Sequence, residues 1–302
     1  MDGGLPPSLA LGGYMKIIDI ISGKHPSLSF EVFPPKSEVT YESILGATLE
    51  IAELRPGYMS VTYGAGGSTD SYTADIAERI RSKGVTPLAH LSCISATRER
   101  VREMLDTLKA KGVENILALR GDMPEGMDST SPREYRYASD LMEQISDYGG
   151  FCIGGACYPE SHPESESGEK DIEALRIKVA SGCEFLTTQM FFDNNVVYNF
   201  MYRLMRKGVD VPVVPGIMPV TNARQIKRIA AISGSALPQR FLRLIDRYGD
   251  KPEAMKQAGI AYATEQVIDL YANGFNAVHI YSMNRPDIAR AIKSNISSII
   301  DE

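Results

Sequence analysis

Eight apolar runs separated by helix-like segments are the feature that most restricts how this chain can fold. Most of the runs lack the polar alternation of a sheet that has one face in water. A parallel sheet covered by helices fits this pattern, because both of its faces are buried. The predicted strands cover residues 28–33, 58–63, 87–92, 115–120, 151–158, 184–190, 212–217 and 277–281.

The segments between these runs carry apolar residues at helical spacing, and several of them end in the same way. Three connections contain SKGVTP, AKGVEN and RKGVDV, in which a basic residue and then a glycine mark a helix end. The run DNN at 193–195 is typical of a helix N-cap. The clearest predicted helices cover residues 40–54, 71–83, 97–111, 171–180 and 198–207.

This alternation predicts the α/β class and, within it, a (β/α)8 TIM barrel with extra helices before the last strand. The stretch 233–252 is longer than one connection needs, so we expect the extra helices there. The 302 residues suffice for one barrel or for two average domains. An open doubly wound sheet with a small second domain is the alternative, but the even spacing favours a single barrel over residues 15–302. Residues 1–14, rich in glycine and proline, are expected to form a disordered extension.

Charge and cysteine usage restrict the class of function. The net charge is −6 and no block of lysine and arginine stands out, which argues against a nucleic-acid surface. No apolar run has the length of a membrane span, and the N-terminus lacks the features of a signal peptide. The spacing of Cys93, Cys152, Cys157 and Cys183 predicts buried, reduced thiols without a metal site, in a cytoplasmic protein.

Polar residues cluster where the predicted strands end, which is the catalytic face of a TIM barrel. Glu31 stands out because an isolated carboxylate in an apolar strand is costly to bury. Each residue also has a structural reading: Glu31 could pair with an arginine, and His90 could be a satisfied core histidine. The other residues of this kind are Thr62, Tyr63, Ser92, Arg120, Gly121, Asp122, Tyr158, His162, Gln189, Tyr281, Asn284 and Arg285.

Nine motifs, in order along the chain from about Leu28 to the C-terminus, resemble those of methylenetetrahydrofolate reductases. They are SFEVFPPK, SVTYGAGG, LAHLSCI, ALRGD, RYASDL, YPESHPE, TTQMFFD, VPGIMPV and HIYSMNR. The resemblance, which is to the short bacterial type, implies a TIM barrel that binds FAD rather than FMN without a covalent bond. It also implies ping-pong hydride transfer from NADH or NADPH, through the flavin, to 5,10-methylenetetrahydrofolate. The expected product is 5-methyltetrahydrofolate and the expected assembly is a homo-oligomer.

The resemblance also implies roles for residues of the substrate site. Glu31 matches the general acid that protonates the folate and opens its methylene bridge. Asp122 matches a residue close to the flavin and the folate, whose charge is expected to lower the flavin potential. The implied substrate contacts are Asp122, Gln189, Gln225 and Arg285 for the folate, with Thr62 and Gln189 for NADH.

The flavin contacts implied by the resemblance lie on several strand ends and loops. Arg120 and Lys178 are candidates to balance the pyrophosphate. The chain departs from the family pattern at Ala174 and Ile177, which replace a polar and a basic FAD contact, so the adenosine half is expected to be held differently. The implied contacts are Tyr63, Ala65, His90, Arg120, Gly121, Asp122, Tyr137, Ala138, Tyr158, His162, Ser165, Asp171 and Lys178.

Two other functions are compatible with the same chain. One is a flavin-free pterin enzyme, such as a methyltransferase, against which the Arg120–Asp122 and YPESHPE loops argue. The other is a folate-binding or electron-relay subunit of a larger complex that takes electrons from a partner protein. The presence of Glu31, Asp122 and Gln189 argues for complete chemistry, while the donor and the physiological direction stay open.

Overall fold

The strands that the structure describes are all parallel and stand side by side in one sheet. The computed structural model describes residues 15–35, 37–63, 70–123, 126 and 131–300, and only the backbone of residues 70, 71, 225, 227, 228, 231 and 232. The strands are β1 Ser27–Val32, β2 Tyr58–Val61, β3 Thr86–Ser92, β4 Asn115–Leu119, β5 Cys152–Cys157, β6 Phe185–Thr188, β7 Val213–Val214, β8 Gly216–Ile217 and β9 Ala277–Tyr281.

The sheet closes into a barrel through its seventh strand. This strand is divided at Pro215 into two short pieces, β7 and β8, which pair with different neighbours. β7 pairs with β6, β8 pairs with β9, and β1 pairs with both β2 and β9. Proline has no N–H to give to a strand ladder, so the strand predicted at 212–217 is interrupted there. The Pro215 carbonyl oxygen accepts from the His279 N–H at 2.8 Å, which joins the two edges. The predicted (β/α)8 TIM barrel is confirmed, and the open sheet is excluded.

Helices cover the outside of the barrel. Three of them, α8 to α10, lie between β8 and β9, which confirms the extra helices before the last strand. Among the described helices none is long and apolar enough to cross a membrane. The helices are α1 Ile17–Ile21, α2 Tyr41–Ala52, α3 Asp70–Ser82, α4 Arg98–Ala110, α5 Ala138–Tyr148, α6 Gly168–Ala180, α7 Asn194–Arg206, α8 Ala223–Ser233, α9 Gln239–Tyr248, α10 Pro252–Ala272, α11 Pro286–Asn295 and α12 Ser297–Ile300.

Two helices begin earlier than predicted, and side-chain caps explain both starts. Ser167 accepts a hydrogen bond from the Lys170 N–H, so α6 begins at Gly168 instead of residue 171. Asp193 accepts from the Asn195 N–H, so α7 begins at Asn194 instead of residue 198. The N-cap predicted at Asp193 is therefore confirmed, and the helix follows it directly.

The short helix α1 closes the N-terminal end of the barrel. Ile17 and Ile21 are buried against the first residues of the strands, such as Tyr58 and Phe185. The Ile17 N–H donates to Asn115 Oδ1 at 2.8 Å. This bond gives a partner to one of the backbone N–H groups that are left unpaired at the start of a helix. Burial of each isoleucine contributes about 1.5–3 kcal/mol. This apolar cluster fills the barrel interior at the amino ends of the strands.

Large apolar side chains on the outer face of the strands pack against the helices. Phe30 and Val32 of β1 and Met59 and Val61 of β2 belong to this layer and are completely buried. Alternate residues of the same strands point into the barrel, because strand side chains alternate between faces. The four cysteines are buried and free of disulfides, as their spacing predicted.

Candidate active site

A cavity of about 380 Å³ lies inside the barrel at the carboxyl ends of the strands. Its volume falls within the roughly 300–1,000 Å³ of typical ligand pockets. Leu88, Leu117 and Leu119 supply apolar surface, and polar groups on several strands and on the loops that follow them supply the rest. The structure thus brings together seven of the residues that the sequence singled out: Glu31, Thr62, His90, Asp122, Tyr158, Gln189 and Tyr281.

Glu31 and His90 form a buried pair of neutral groups in this cavity. Glu31 is 7% exposed, and its Oε2 lies 3.6 Å from Nε2 of His90. Burial raises the pKa of Glu31 to about 8 and lowers the pKa of His90 to about 3. At pH 7 the carboxyl group is protonated and the imidazole is uncharged, so their contact is not an ion pair.

The alternative structural readings of these two residues do not fit their surroundings. Within the described part of the chain, Glu31 has no arginine or lysine at salt-bridge distance. Nε2 of His90 is buried without a hydrogen-bond partner among the described residues. Buried polar atoms of this kind are rare in native proteins and call for an explanation such as a ligand.

The loop after β9 holds the end of β1 in place. The Ser282 hydroxyl donates to the Glu31 carbonyl oxygen at 2.6 Å. The amide of Asn284 accepts from the Phe33 N–H at 2.8 Å and donates to the Phe33 carbonyl oxygen at 3.0 Å. Met283 and Asn284 both have φ near 53°. Since asparagine tolerates this conformation better than methionine, Met283 carries the local strain.

Tyr281 lies across the cavity wall because Gly216 leaves room for it. Its hydroxyl donates to the Thr188 carbonyl oxygen. A Cβ atom at Gly216 would lie 2.4 Å from that hydroxyl, so a larger residue does not fit here. The Gly216 N–H donates to Thr188 Oγ1 at 2.9 Å. Next to Thr188, Gln189 accepts from the Met190 N–H at 3.0 Å, which orients its amide.

The loop after β4 places a cation and a glycine at the mouth of the cavity. The Arg120 guanidinium makes two bonds to the Glu164 carboxylate, of 2.6 and 2.8 Å. Gly121 has φ of 89°, and a Cβ atom there would lie 2.1 Å from Ser92 Oγ. Only glycine combines this backbone conformation with such a close approach. Asp122 is exposed and lines the cavity beside them.

The loop after β5 carries several of the predicted flavin contacts. The ring of His162 stands edge-on to Tyr158 at 4.5 Å. Asp171 accepts from the His162 N–H at 3.2 Å, and the Ser165 hydroxyl donates to the Ser167 carbonyl oxygen. These contacts order the loop above the cavity.

Lys178 of α6 contacts the wall of the cavity. Its ammonium is partly buried and donates at 2.7 Å to the carbonyl oxygen of Ala156, a residue that lines the cavity. Burial lowers the pKa of Lys178. The positive charge therefore acts on the cavity wall, and Arg120 is the cation at the mouth.

Tyr63, Tyr137 and Ala138 do not line the cavity, and two further predicted residues cannot be placed. Tyr137 is 55% exposed at the start of α5, while Ala138 is buried. Tyr63 is half-buried just after β2. Gln225 belongs to α8, but its side chain is not described, and Ala65 lies outside the described residues.

Arg285 stands on the loop between β9 and α11, outside the cavity lining. Its guanidinium makes two bonds to Asp287, of 3.0 and 2.9 Å. Lys256 lies 2.6 Å from the same carboxylate. The Arg285 and Lys256 cations hold the pKa of Asp287 far below its usual range, so the cluster has one net positive charge.

The departures from the family pattern lie on α6. Ile177 is 51% exposed, so it presents apolar surface where the pattern has a basic residue. Arg176 does not replace that charge, because its guanidinium pairs with Glu173 at 3.0 and 3.1 Å.

Sequence reasoning missed polar groups deeper in the barrel. His279, Thr187 and Ser60 are buried inside it, and the first two line the cavity. The signal was present for His279, because the alternation in AVHIY places it on the same face as Tyr281. Its partners could not be identified, since they come from strands distant in sequence.

A closed barrel with a buried acid in a polar cavity at its carboxyl end is the architecture of a TIM-barrel enzyme. The family model for methylenetetrahydrofolate reductase matches residues 16–297. The chain therefore belongs to the methylenetetrahydrofolate reductase family, as its motifs predicted.

Relatives in bacteria and plants agree with this membership. The chain is 34% identical over 267 residues to the 5,10-methylenetetrahydrofolate reductases of Pectobacterium carotovorum and Escherichia coli K12, covering 88% of this chain and 88–89% of theirs. It is 33% identical over 308 residues to methylenetetrahydrofolate reductase (NADH) 1 of Arabidopsis thaliana. That match covers 95% of this chain and 52% of the plant protein, so the chain spans about half the length of that relative.

Solved structures with low sequence identity show the same fold. A Clostridium thermocellum protein that binds two copies of 5-methyl-5,6,7,8-tetrahydrofolic acid superposes with a TM-score of 0.63 at 14% identity. The match covers 93% of this chain and 97% of that protein. At this identity the similarity establishes the barrel alone.

Proposed function

We propose that this chain reduces 5,10-methylenetetrahydrofolate to 5-methyltetrahydrofolate, with FAD as cofactor and NADH or NADPH as electron donor. The observation that carries the proposal is the buried carboxyl group of Glu31 in the cavity at the carboxyl end of the barrel, where burial raises its pKa to about 8. Family membership supports the reaction.

Glu31 has the protonation state that a general acid needs. The methylene group of the folate is a poor electrophile while two nitrogens hold it, and protonation of N10 opens the ring to an N5 iminium cation. With a pKa of about 8, Glu31 is protonated in about nine tenths of molecules at pH 7. An ordinary glutamic acid of pKa 4.5 would be protonated in about 0.3% of them.

Asp122 and Gln189 line the same cavity and complement this acid. The carboxylate of Asp122 stabilises the cationic iminium as it forms. Gln189 has an amide that both donates and accepts hydrogen bonds, so it can contact the folate and the nicotinamide in turn. Thr62, which also lines the cavity, completes the nicotinamide contacts.

The cavity fits a flavin ring. It combines leucine surface with the phenol of Tyr158 and with the unpartnered Nε2 of His90. Gly121 lets the backbone approach closely, and Arg120 at the mouth can face a pyrophosphate if the phosphate shares it with Glu164. When bound, FAD supplies the hydride that reduces the folate. The other residues proposed to hold it are Tyr63, Ala65, Asp122, Tyr137, Ala138, His162, Ser165, Asp171 and Lys178.

The outer parts of both ligands would meet the rim of the barrel. The exposed side chain of Ile177 offers the adenosine apolar contact instead of a charge. The net positive cluster of Arg285, Lys256 and Asp287 can hold the anionic glutamate tail of the folate, with Gln225 as a further contact. A cytoplasmic homo-oligomer is the expectation that goes with this proposal.

The test separates the two half-reactions. Under anaerobic conditions, NADH should bleach the flavin absorbance of the purified protein, and 5,10-methylenetetrahydrofolate should restore it. Glu31→Gln should keep the bleaching but lose the reoxidation by folate, because the amide cannot donate the required proton. Glu114→Gln, on an exposed side chain, is the matched control and should behave as the wild type.

The remaining outcomes decide between the alternatives. Equal loss of both half-reactions in Glu31→Gln would contradict the role of Glu31 as the acid. A yellow protein that NADH does not bleach takes its electrons from NADPH or from a partner protein. A protein that stays colourless after FAD is added would refute the flavin assignment.

A further inference from the structure

The three extra helices, α8 to α10, share a small hydrophobic core that is separate from the main core of the barrel. One buried residue from each helix packs there with residues that follow β6 and β8, and the members are Phe192, Val220, Ile226, Phe241 and Met255. Small clusters of this kind open at a lower free-energy cost than a main core. The order of α8 therefore depends strongly on the contacts that join its C-terminal end to neighbouring loops.

Glu160 makes such a contact from the loop after β5, residues 158–167, which we call the flavin loop. In the chain it stands between Tyr158 and His162, two of the residues proposed to hold the flavin. Oε1 of Glu160 accepts from the Ala236 N–H at 2.9 Å. Ala236 lies three residues beyond the end of α8, so this bond joins the flavin loop to the end of that helix.

Gly234 brings the same two segments into direct contact. It ends α8 in the left-handed conformation with φ of 71°, and its N–H donates to the Ala230 carbonyl oxygen. A Cβ atom at this position would lie 3.1 Å from Cγ of Pro163 in the flavin loop. Glycine is required here, because another residue would both strain the backbone and press on Pro163.

The flavin loop is tightly turned at the point of contact. Ser161, between Glu160 and His162, has φ of 77°, which is uncommon for a residue other than glycine. Its N–H donates to the Tyr158 carbonyl oxygen at 3.0 Å. Strained conformations of this kind persist where the surrounding structure holds them, and they cluster at ligand sites. One strained residue thus separates the side chain that contacts the end of α8 from the ring that contacts Tyr158.

Ser235 attaches the same segment to the loop after β6. Its hydroxyl donates to the Met190 carbonyl oxygen at 2.7 Å. The Met190 N–H in turn donates to the side chain of Gln189, which lines the cavity. Residues 234–236 therefore connect α8 to the loops on two neighbouring strands of the site.

We propose that Glu160 is a positioning residue, which transmits the order of the flavin loop to α8, the helix that carries Gln225. The inference rests on the proposed function, in which the flavin contacts Tyr158 and His162. A bound flavin restrains the loop, and the Glu160 bond then restrains the end of α8. The folate meets a helix that is already ordered, so its binding costs less conformational entropy.

Hydrogen–deuterium exchange measures the order of α8 without turnover. The wild type is compared with and without FAD, and the peptides of interest cover residues 158–167 and 223–236. FAD should slow exchange in both peptides. In the α8 peptide we expect a slowing of about threefold or more, since the net contribution of one hydrogen bond changes an opening equilibrium by this order.

Replacement of Glu160 by alanine should uncouple the two segments. FAD should still slow exchange in the flavin loop, whereas α8 should exchange as fast as it does without FAD. Glu160→Gln keeps an oxygen that accepts from the Ala236 N–H, so it should behave as the wild type. Glu166→Ala removes an exposed carboxyl group from the same loop and is the matched control.

The folate half-reaction gives a second readout. Glu160→Ala should raise the folate concentration that gives half-maximal flavin reoxidation about threefold or more. The maximal rate of reoxidation and the rate of bleaching by NADH should stay at their wild-type values, because the residues proposed for the chemistry are unchanged. A general loss of structure would instead lower both rates.

Two outcomes would overturn the inference. One is FAD-dependent protection of α8 that persists in a folded, FAD-bound Glu160→Ala protein. The other is a Glu160→Gln protein that behaves like Glu160→Ala, which would show that the accepting oxygen is not what couples the segments. If Glu160→Ala does not fold, Gly234→Ala is the second variant, and it should uncouple α8 by displacing Pro163.

The proposed function can fail separately from this inference. If FAD protects α8 through Glu160 but folate does not reoxidise the flavin, the coupling holds and the proposed substrate is wrong. If FAD binds to the wild type and leaves exchange in α8 unchanged, the coupling is refuted and the proposed reaction is not affected.

Discussion

Replacement of Glu31 by glutamine should make the protein more stable, and the gain should grow with pH. The unfolded carboxyl group ionises near pH 4.5, whereas the folded one ionises near pH 8 because it is buried. Between these values the native state holds a proton that the unfolded state has lost. The stability of the wild type therefore falls as the pH rises through this interval. Glutamine has nearly the same shape and no proton to lose, so it removes this penalty.

The size of the effect follows from the width of that interval. Each pH unit between the two pKa values contributes about 1.36 kcal/mol, so at pH 7 the penalty reaches about 3 kcal/mol. At pH 4.5 the penalty should be smaller than about 0.5 kcal/mol. The difference between the two proteins isolates Glu31, because His90 and the other buried groups are common to both.

Equilibrium urea denaturation at several pH values measures this difference. The chain contains no tryptophan, so circular dichroism is the suitable signal. FAD should be present at one fixed concentration throughout, since bound ligand adds to the apparent stability. Glu114→Gln, which changes an exposed carboxyl group, should show no such pH-dependent gain. A Glu31→Gln protein that is equally or less stable at pH 8 would show that Glu31 is ionised in the native state, and the acid role would lose its basis.

Three further changes test the parts of the site that surround this acid. Gly216→Ala places a Cβ atom 2.4 Å from the Tyr281 hydroxyl and should lower the free energy of unfolding by about 1–3 kcal/mol, measured by urea denaturation. An unchanged urea midpoint would show that Tyr281 can move aside. Asn284→Ala leaves the N–H and C=O of Phe33 without partners and should cost about 1–3 kcal/mol. It should also slow the folate half-reaction in stopped flow more than the NADH half-reaction, and equal slowing would argue against an effect through the end of β1. Asp122→Asn removes a negative charge from the cavity and should raise the flavin midpoint potential in a spectroelectrochemical titration, which an unchanged potential would contradict.

Local sequence signals were sufficient for the fold. The ends of the described strands lie within two residues of the predicted ones, except in the seventh strand. There Pro215 interrupts the ladder, and only the closed barrel shows that its two halves serve different neighbours. The starts of α6 and α7 were predicted late, because the capping side chains of Ser167 and Asp193 act before the apolar spacing begins.

The sequence by itself determined which residues stand at the catalytic end of the barrel, since that follows from where each strand stops. The tertiary structure decided their partners and their chemical state. Arg120 meets Glu164, and Arg285 meets Asp287, through loop conformations that spacing does not reveal.

The barrel also sets Glu31 beside Ser60 of β2 and Tyr281 of β9, and Tyr281 lies 250 residues further along the chain. The protonation of a carboxyl group depends on burial and on hydrogen-bond direction, and both arise only when these strands close around it.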